Sequence, residues 1–315
     1  MQLKTLFWLV LMSLLWGPSF LFIKVAGQDI PPLTLAAARV CLAAGLLYLV
    51  LRLQGRHLPG WGPLWKRFTV AGLLLNAWPY ALIFWSEQHI DSGLAAVLIG
   101  FHPLFTILLA HVFTAEDRLT PAKGMGAVVG FGGLVALVTP TLQDGLQATT
   151  WGVLATLVAA LCYAGGTLYT RQKLRGLPPL VAPTAQLVTA ALFLLPLALW
   201  FESPAGLSRP AGASLAALLA LVVVSTVLTF IIYYQAMERL SATSLSLVAY
   251  LIPVVGLGLG VLFLGERPGW PAYLGCALVI AGMMVGNGLL QPRVPGPSRH
   301  PVSTKQFAIF KRTAR

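Results

Sequence analysis

Residues 103–135 read PLFTILLAHVFTAEDRLTPAKGMGAVVGFGGLV, and residues 253–285 read PVVGLGLGVLFLGERPGWPAYLGCALVIAGMMV. At this offset of 150, Pro103, Leu109, Phe113, Glu116, Pro121 and Ala122 fall on identical residues at Pro253, Leu259, Phe263, Glu266, Pro271 and Ala272. Ala127, Val129, Gly132 and Val135 likewise fall on Ala277, Val279, Gly282 and Val285. Ten identities in 33 positions exceed the roughly three that chance supplies in so Leu- and Ala-rich a chain. Both copies share one grammar, an apolar run, a Glu-then-Pro break and a second apolar run, which composition alone does not produce. Earlier in each half the offset is 147: Trp16 falls on Tyr163, Lys24 on Arg171, and Pro31-Pro32-Leu33 on Pro178-Pro179-Leu180. The chain therefore divides at 1–148 and 149–290, followed by a tail at 291–315.

The apolar runs are long enough to span a membrane. Of the 315 residues, 57% are hydrophobic and 10% charged, against about 25% charged in an ordinary soluble domain. Mean hydropathy is +0.82. A spanning helix needs about 20 apolar residues. Such runs lie at 5–26, 33–52, 67–86, 92–114, 121–139, 150–171, 180–201, 212–236, 242–264 and 270–290, separated by Pro- and Gly-containing breaks. The first is too long for a signal-peptide core and is expected to remain as an uncleaved span. Five spans per half is an odd number, so the second copy enters the membrane inverted. The expected fold class is an all-α membrane protein of ten transmembrane helices, built as two inverted five-helix repeats. Inverted repeats are a mark of secondary transporters, with a midplane site and two alternating openings.

Charge sets the orientation. The 21 Lys and Arg exceed the nine Asp and Glu by 12. With the N-terminus inside, 17 of the cations fall in inner segments and two, Arg209 and Arg267, in outer loops. This bias places both termini in the cytoplasm of a bacterial inner-membrane, multi-pass protein. The cations sit in short gaps between spans, so nucleic acid is not an expected partner. The expected partners are a small-molecule substrate and membrane lipid, and a homodimer is left open. The tail carries six Lys or Arg, four Pro and no acid. It is expected to be disordered and attracted to anionic lipid by up to about 1 kcal/mol per cation.

At Trp16-Gly17-Pro18-Ser19-Phe20 the first span resembles the W-G-x-x-F signature of EamA-type members of the drug/metabolite transporter superfamily. Arg39 in the second span, the Pro103 and Pro253 helices, Glu116 and the Gly265-Glu266-Arg267-Pro268 turn are similar to that family too. The resemblance covers residues 1–290 in two copies. It implies a ten-helix transporter of small metabolites, often an exporter, in a group that includes amino-acid exporters. The second half departs from the signature, with Tyr163-Ala164-Gly165-Gly166-Thr167 in its place and Gln186 where Arg39 would fall.

The chemistry that is missing narrows the function further. All nine acids fall in loops or at helix ends, so no midplane carboxylate is expected to relay protons or hold a cation. There is no Gly-Lys-Ser/Thr phosphate loop and no Asp cluster of the kind that binds magnesium diphosphate. Cys41, Cys162 and Cys276 are scattered in apolar runs and read as packing residues. Neither an enzyme activity, a cofactor nor a metal is expected. Nucleotide-sugar, phosphate-ester or drug transport on the same fold is the alternative. An intramembrane enzyme, a scaffold and a channel stand further back.

Arg39 is the one strong charge well inside a span, where a guanidinium suits a substrate carboxylate or else ties helices together. Trp16 and Phe20 in the first span, and Asn76 and Tyr80 in the third, recur four residues apart and share helix faces. Trp78 lies beside the latter pair. His102 precedes Pro103 near mid-span, where it is either a titrating group or a neutral packing residue. From the second half, Tyr163 is the 147-offset partner of Trp16, Thr226 is the 150-offset partner of Asn76, and Tyr250 joins them. The expected site is a cavity between the halves for a small, partly apolar metabolite such as an amino acid. It is expected to work down a gradient or by exchange, not by proton coupling through a carboxylate.

Overall fold

A computed structural model describes residues 3–113, 120–143, 147–203, 209–239 and 248–286. Every regular element among them is helical. The first span is two helices, α1 (Leu3–Trp16) and α2 (Ser19–Ala26); the second is α3 (Pro32–Leu53). The third joins α4 (Pro63–Gly72) to α5 (Trp78–Ser86) through a π turn at Leu73–Ala77. The fourth is α6 (Ser92–Ile99) and α7 (His102–Phe113); α8 (Pro121–Gln143), α9 (Ala148–Lys173) and α10 (Val181–Phe201) follow. The eighth joins α11 (Gly212–Val222) to α12 (Thr229–Arg239) through a π turn at Val223–Leu228, and α13 (Val248–Leu264) and α14 (Trp270–Gly286) end the described chain. Eight of these spans are long and apolar enough to cross a membrane, and two shorter apolar stretches, Leu251–Leu264 and Trp270–Val285, complete the set. The chain is an all-α membrane protein of about ten helices.

The outside of the bundle is apolar. Leu53, Val112, Phe113, Val128, Leu199, Leu262 and Phe263 are exposed, which suits hydrocarbon as the surrounding solvent. Oil outside also removes the hydrophobic force between helices, so close backbone approach must supply the contact. The broadest helix pairing, α8 against α14, shows how. A Cβ added at Gly282 would lie 2.5 Å from the Gly126 carbonyl oxygen and 2.6 Å from the Gly130 nitrogen. Only glycine permits this approach. Gly17, at the break between α1 and α2, is pressed in the same way against Val255 of α13.

The remaining pairings follow a pattern across the two halves. α3 packs on α10, α6 on α13 and α8 on α14. α2 packs on α11 as α5 packs on α9, and α1 on α13 as α7 packs on α9. The two π turns begin 150 residues apart, at Leu73 and Val223. Their chemical causes differ. In the first, Pro79 follows the turn and has no N–H for the Leu75 carbonyl, so the helix widens to relieve the ring. In the second, Thr226 Oγ1 donates to the Leu221 carbonyl at 2.9 Å and Thr229 Oγ1 to that of Val224 at 2.7 Å. There the hydroxyls satisfy carbonyls that the wider turn leaves without helical partners. A proline inside a span removes a helical N–H and is expected to kink the helix where it stands. The fourth span instead breaks just before Pro103, at Gly100-Phe101, while Pro253 lies within a continuous α13.

One end of the bundle collects Asp29, Glu87, Asp91, Glu202 and Glu266, and there helix starts are capped by carboxylates from other spans. Glu202 accepts Leu33 N at 2.8 Å and Thr34 N at 2.6 Å at the start of α3. Glu266 accepts Ser92 N at 2.7 Å and Gly93 N at 2.9 Å at the start of α6. Asp29 accepts Ala211 N at 2.9 Å and Ser214 Oγ at 2.6 Å at the start of α11. A helix N-terminus offers free N–H groups and a positive dipole, so each cap is a charge-assisted bond that also ties one span to another. Asp91, the residue at the N-cap of α6, makes no such cap itself; Glu266 has taken that place.

Candidate functional site

Arg39 lies seven residues into α3, about 10 Å from its start at the 1.5 Å rise per residue of a helix. It is 4% exposed. Its Nε donates to Thr226 Oγ1 at 3.0 Å, so a cation from the first half is bonded into the π turn of the second. Its guanidinium carbon stands 4.1 Å from the centre of the Tyr80 ring and 5.8 Å from that of Phe84. Such cation–π contacts stabilise a desolvated guanidinium without using its N–H groups. The terminal nitrogens therefore remain a planar fork with no bond among the described residues. Ser225, beside Thr226 in the same turn, has a buried hydroxyl with no hydrogen-bond partner among the described residues.

From Arg39 the polar groups continue through the bundle. Tyr163 stands on α9, which packs against the α5 that carries Tyr80. The Tyr163 ring meets His102 edge-on at 6.1 Å, and His102 Nε2 is 3.3 Å from Thr167 Oγ1. Thr226, Arg39, Tyr80, Tyr163, His102 and Thr167 thus form one string drawn from both halves. Thr226 and Arg39 are buried, Tyr163 and His102 half-buried, and Thr167 exposed. Accessibility rises along the string away from the end that carries the carboxylate caps.

Other expected site residues sit apart from this string. Trp16 packs against Tyr233 at 5.5 Å in a separate small cluster with Leu9, Met12, Ala236 and Val248. Phe20 is buried against the α6–α13 contact, near Gly256. Asn76 is buried inside the first π turn, which packs on α10. Trp78 is 45% exposed and sets its ring against Phe193. Tyr250 lies in α13, and its side chain is outside the described residues, as are the side chains at Glu116 and in the tail. The sequence reading missed Thr167 as a neighbour of the string, and did not carry Phe84 from its helix face into the expected site. Phe84 had a signal, since it continues the face of Asn76 and Tyr80. Thr167 had none. A cavity of about 440 Å³ between α13 and α14, lined by Val254, Leu257, Val261, Tyr273 and Cys276 among others, shares no residue with the string.

The sequence signature of the EamA-like transporter family matches residues 3–139 and again residues 150–287. The chain belongs to the EamA-like transporter family. Two matches, one in each half, leave only the short connection and the ends of the chain uncovered. Similar curated proteins are also transporters by name. The "Probable terminal-alkyne amino-acid exporter" of Streptantibioticus cattleyicolor is 32% identical over 298 residues, covering 91% of this chain and 95% of that one. The "Uncharacterized transporter YoaV" of Bacillus subtilis is 25% identical, over 91% and 97% of the two chains. The "Uncharacterized inner membrane transporter YedA" of Escherichia coli K12 is 28% identical, over 86% and 87%. A solved crystal structure superposes with a TM-score of 0.67 at 21% identity, over 93% of this chain and 100% of that one, which shows a shared fold. No cluster of three potential metal ligands occurs among the described residues.

Proposed function

We propose that this EamA-like transporter exports a small, partly apolar amino acid or related carboxylate across the bacterial inner membrane. The halves 1–148 and 149–290 would move as inverted repeats about a site at Arg39, by alternating access. The observation that carries the substrate class is the free fork of Arg39, buried and aimed among Tyr80, Phe84 and Thr226. A planar carboxylate takes two parallel bonds from such a fork. The flanking rings offer apolar area to the rest of the substrate. A doubly charged phosphate ester fits less well, because Lys24 is engaged by two carbonyl oxygens, of Glu87 at 2.6 Å and Ile90 at 2.8 Å. Export is the direction suggested by the exporter of Streptantibioticus cattleyicolor, and inner-membrane placement by YedA. Both termini are cytoplasmic on the basic-residue bias, so the carboxylate-capped end faces outward and Thr167 lies toward the cytoplasm.

The test is a thermal-shift screen of detergent-purified protein against amino acids and against their carboxylate-free amines and amides. Stabilisation by carboxylate-bearing apolar compounds, lost in Arg39→Gln, is expected. Equal stabilisation by carboxylate-free analogues, or full binding by Arg39→Gln, would remove Arg39 from the site.

A further inference from the structure

Glu87 follows the last residue of α5, at the same end of the bundle as the three carboxylate caps. It is 2% exposed, and both of its carboxylate oxygens are buried without a hydrogen-bond partner among the described residues. A buried acid in a protein is ordinarily paired or bonded, because a bare carboxylate taken from water is among the costliest groups to bury. The cation nearest to it in the chain's arrangement does not serve it: the Lys24 ammonium donates to the Glu87 and Ile90 carbonyls, capping the end of α5. Glu266 faces it from the turn between α13 and α14, with both of its carboxyl oxygens already accepting backbone N–H groups at the start of α6.

We propose that Glu87 is a proton-binding site of the transport cycle, neutral while the capped end is closed and ionised when that end opens. One proton then leaves for every opening, and the pH on that side of the membrane sets how readily the carrier opens. The charge count around Glu87 supports this assignment. With Glu87 neutral, Lys24 and Glu266 balance, and the exposed Asp91 carries its charge in water. With Glu87 ionised, one ammonium would face three carboxylates, and the next cation, Arg39, is already held between Thr226 and Tyr80. The charged groups that act on Glu87 are Lys24 from α2, Glu266 from the α13–α14 turn and Arg39 from α3. Asp91, on its own loop, acts on the same Glu266 and Lys24.

The electrostatic balance has the same direction. Burial raises the Glu87 carboxyl well above the ordinary range, Lys24 opposes the rise, Glu266 adds to it, and Arg39 weakly opposes it. The closed form therefore binds one more proton than the open form. By linkage the closed form is fully favoured below the ordinary carboxylate range. It loses ground up to about tenfold per pH unit above that range, until its own raised value is passed. This is gating by a proton at the outer end, and it requires no carboxylate at midplane.

The experiment needs no substrate, so its failure is separate from failure of the Arg39 assignment. Infrared spectra of the full chain in lipid vesicles are recorded at about pH 7, where ordinary carboxylates are ionised. A protonated-carboxyl band is expected in the wild type and in Glu266→Gln, and its loss in Glu87→Gln. A neutral carboxamide copies both the shape and the charge of the closed state, so this variant is expected to fold. Opening is followed in parallel by maleimide labelling of Ser92→Cys, a position wholly buried at the closed end. Because the thiolate is the reacting form, each rate is divided by that of a free thiol with the same maleimide at the same pH. The corrected rate should rise by up to about tenfold per pH unit in otherwise wild-type protein and stay low and flat when Glu87→Gln is added. A wild type with no protonated-carboxyl band, or a band and pH profile unchanged by Glu87→Gln, would overturn the proposal.

Discussion

Arg39 and Thr226 meet across 187 residues of sequence, and the bond between them fixes the guanidinium whose remaining N–H groups carry the proposed carboxylate contact. Arg39→Lys keeps the charge but removes the fork and the stacking on Tyr80, which an ammonium point charge does not reproduce. Its expected signature is a fall in affinity for carboxylates of about tenfold to a hundredfold, the worth of roughly one to two charge-assisted bonds. Protein level should be unchanged. Thr226→Val removes only the bond that aims the guanidinium, so about a fivefold weakening is expected, on the order of 1 kcal/mol. Isothermal titration or competitive thermal shift with the best compound of the screen distinguishes the two variants, and equal losses would contradict separate contact and aiming roles. Arg39 was legible in the sequence because a cation in an apolar run is conspicuous. Glu87 was not, because its position at a helix end gives no hint that its carboxylate is buried.

The span limits were legible because Pro and Gly punctuate them, and α3, α8, α9 and α10 begin and end within a few residues of the runs read from the sequence. The π turns were not, because one rests on Pro79 and the other on the hydroxyls of Thr226 and Thr229, and no single residue pattern announces both. The carboxylate caps were also hidden: a Glu at a helix end reads as a solvated charge until the start of another helix is found against it. Their energetics are testable. Glu266→Gln leaves acceptor geometry but removes the charge at the start of α6, and should cost about 1 kcal/mol of closed-state stability. Ser92→Cys labelling at fixed pH measures that loss as faster modification, and an unchanged rate would show that the bond does not hold this end shut. Asp29 should respond to pH in the opposite sense to Glu87. Bonds from Ser214 and Ala211 hold its carboxyl below the ordinary range, so its tie to α11 is present above that range and fades as pH falls through its lowered value. Asp29→Asn should therefore remove an acid-side weakening of the closed end while leaving the alkaline opening intact, as read by the same labelling profile.

At the scale of the molecule, the two family matches and the π turns 150 residues apart go with helix pairings that set α3, α6 and α8 against their counterparts α10, α13 and α14, and that pair α2 with α11 as α5 pairs with α9. Orientation is what turns this arrangement into a direction of transport. Asp29 and Arg175 are both exposed and lie at opposite ends of the bundle. In a background with Cys41, Cys162 and Cys276 replaced by serine, Asp29→Cys should react with an impermeant maleimide added to intact cells. Arg175→Cys should react only after the membrane is opened. Removal of residues 291–315 should change neither pattern, because the cations that orient the spans are those of the short inner loops, such as Arg52, Arg56, Lys66 and Arg67, rather than the tail. Labelling of positions 29 and 175 from the same side would sink the orientation, and with it the assignment of the carboxylate-capped end to the outside. A reversal of both patterns would keep the fold and reverse the proposed direction of transport, placing the proposed Glu87 proton site under cytoplasmic pH. That outcome is read directly from which of the two cysteines intact cells protect.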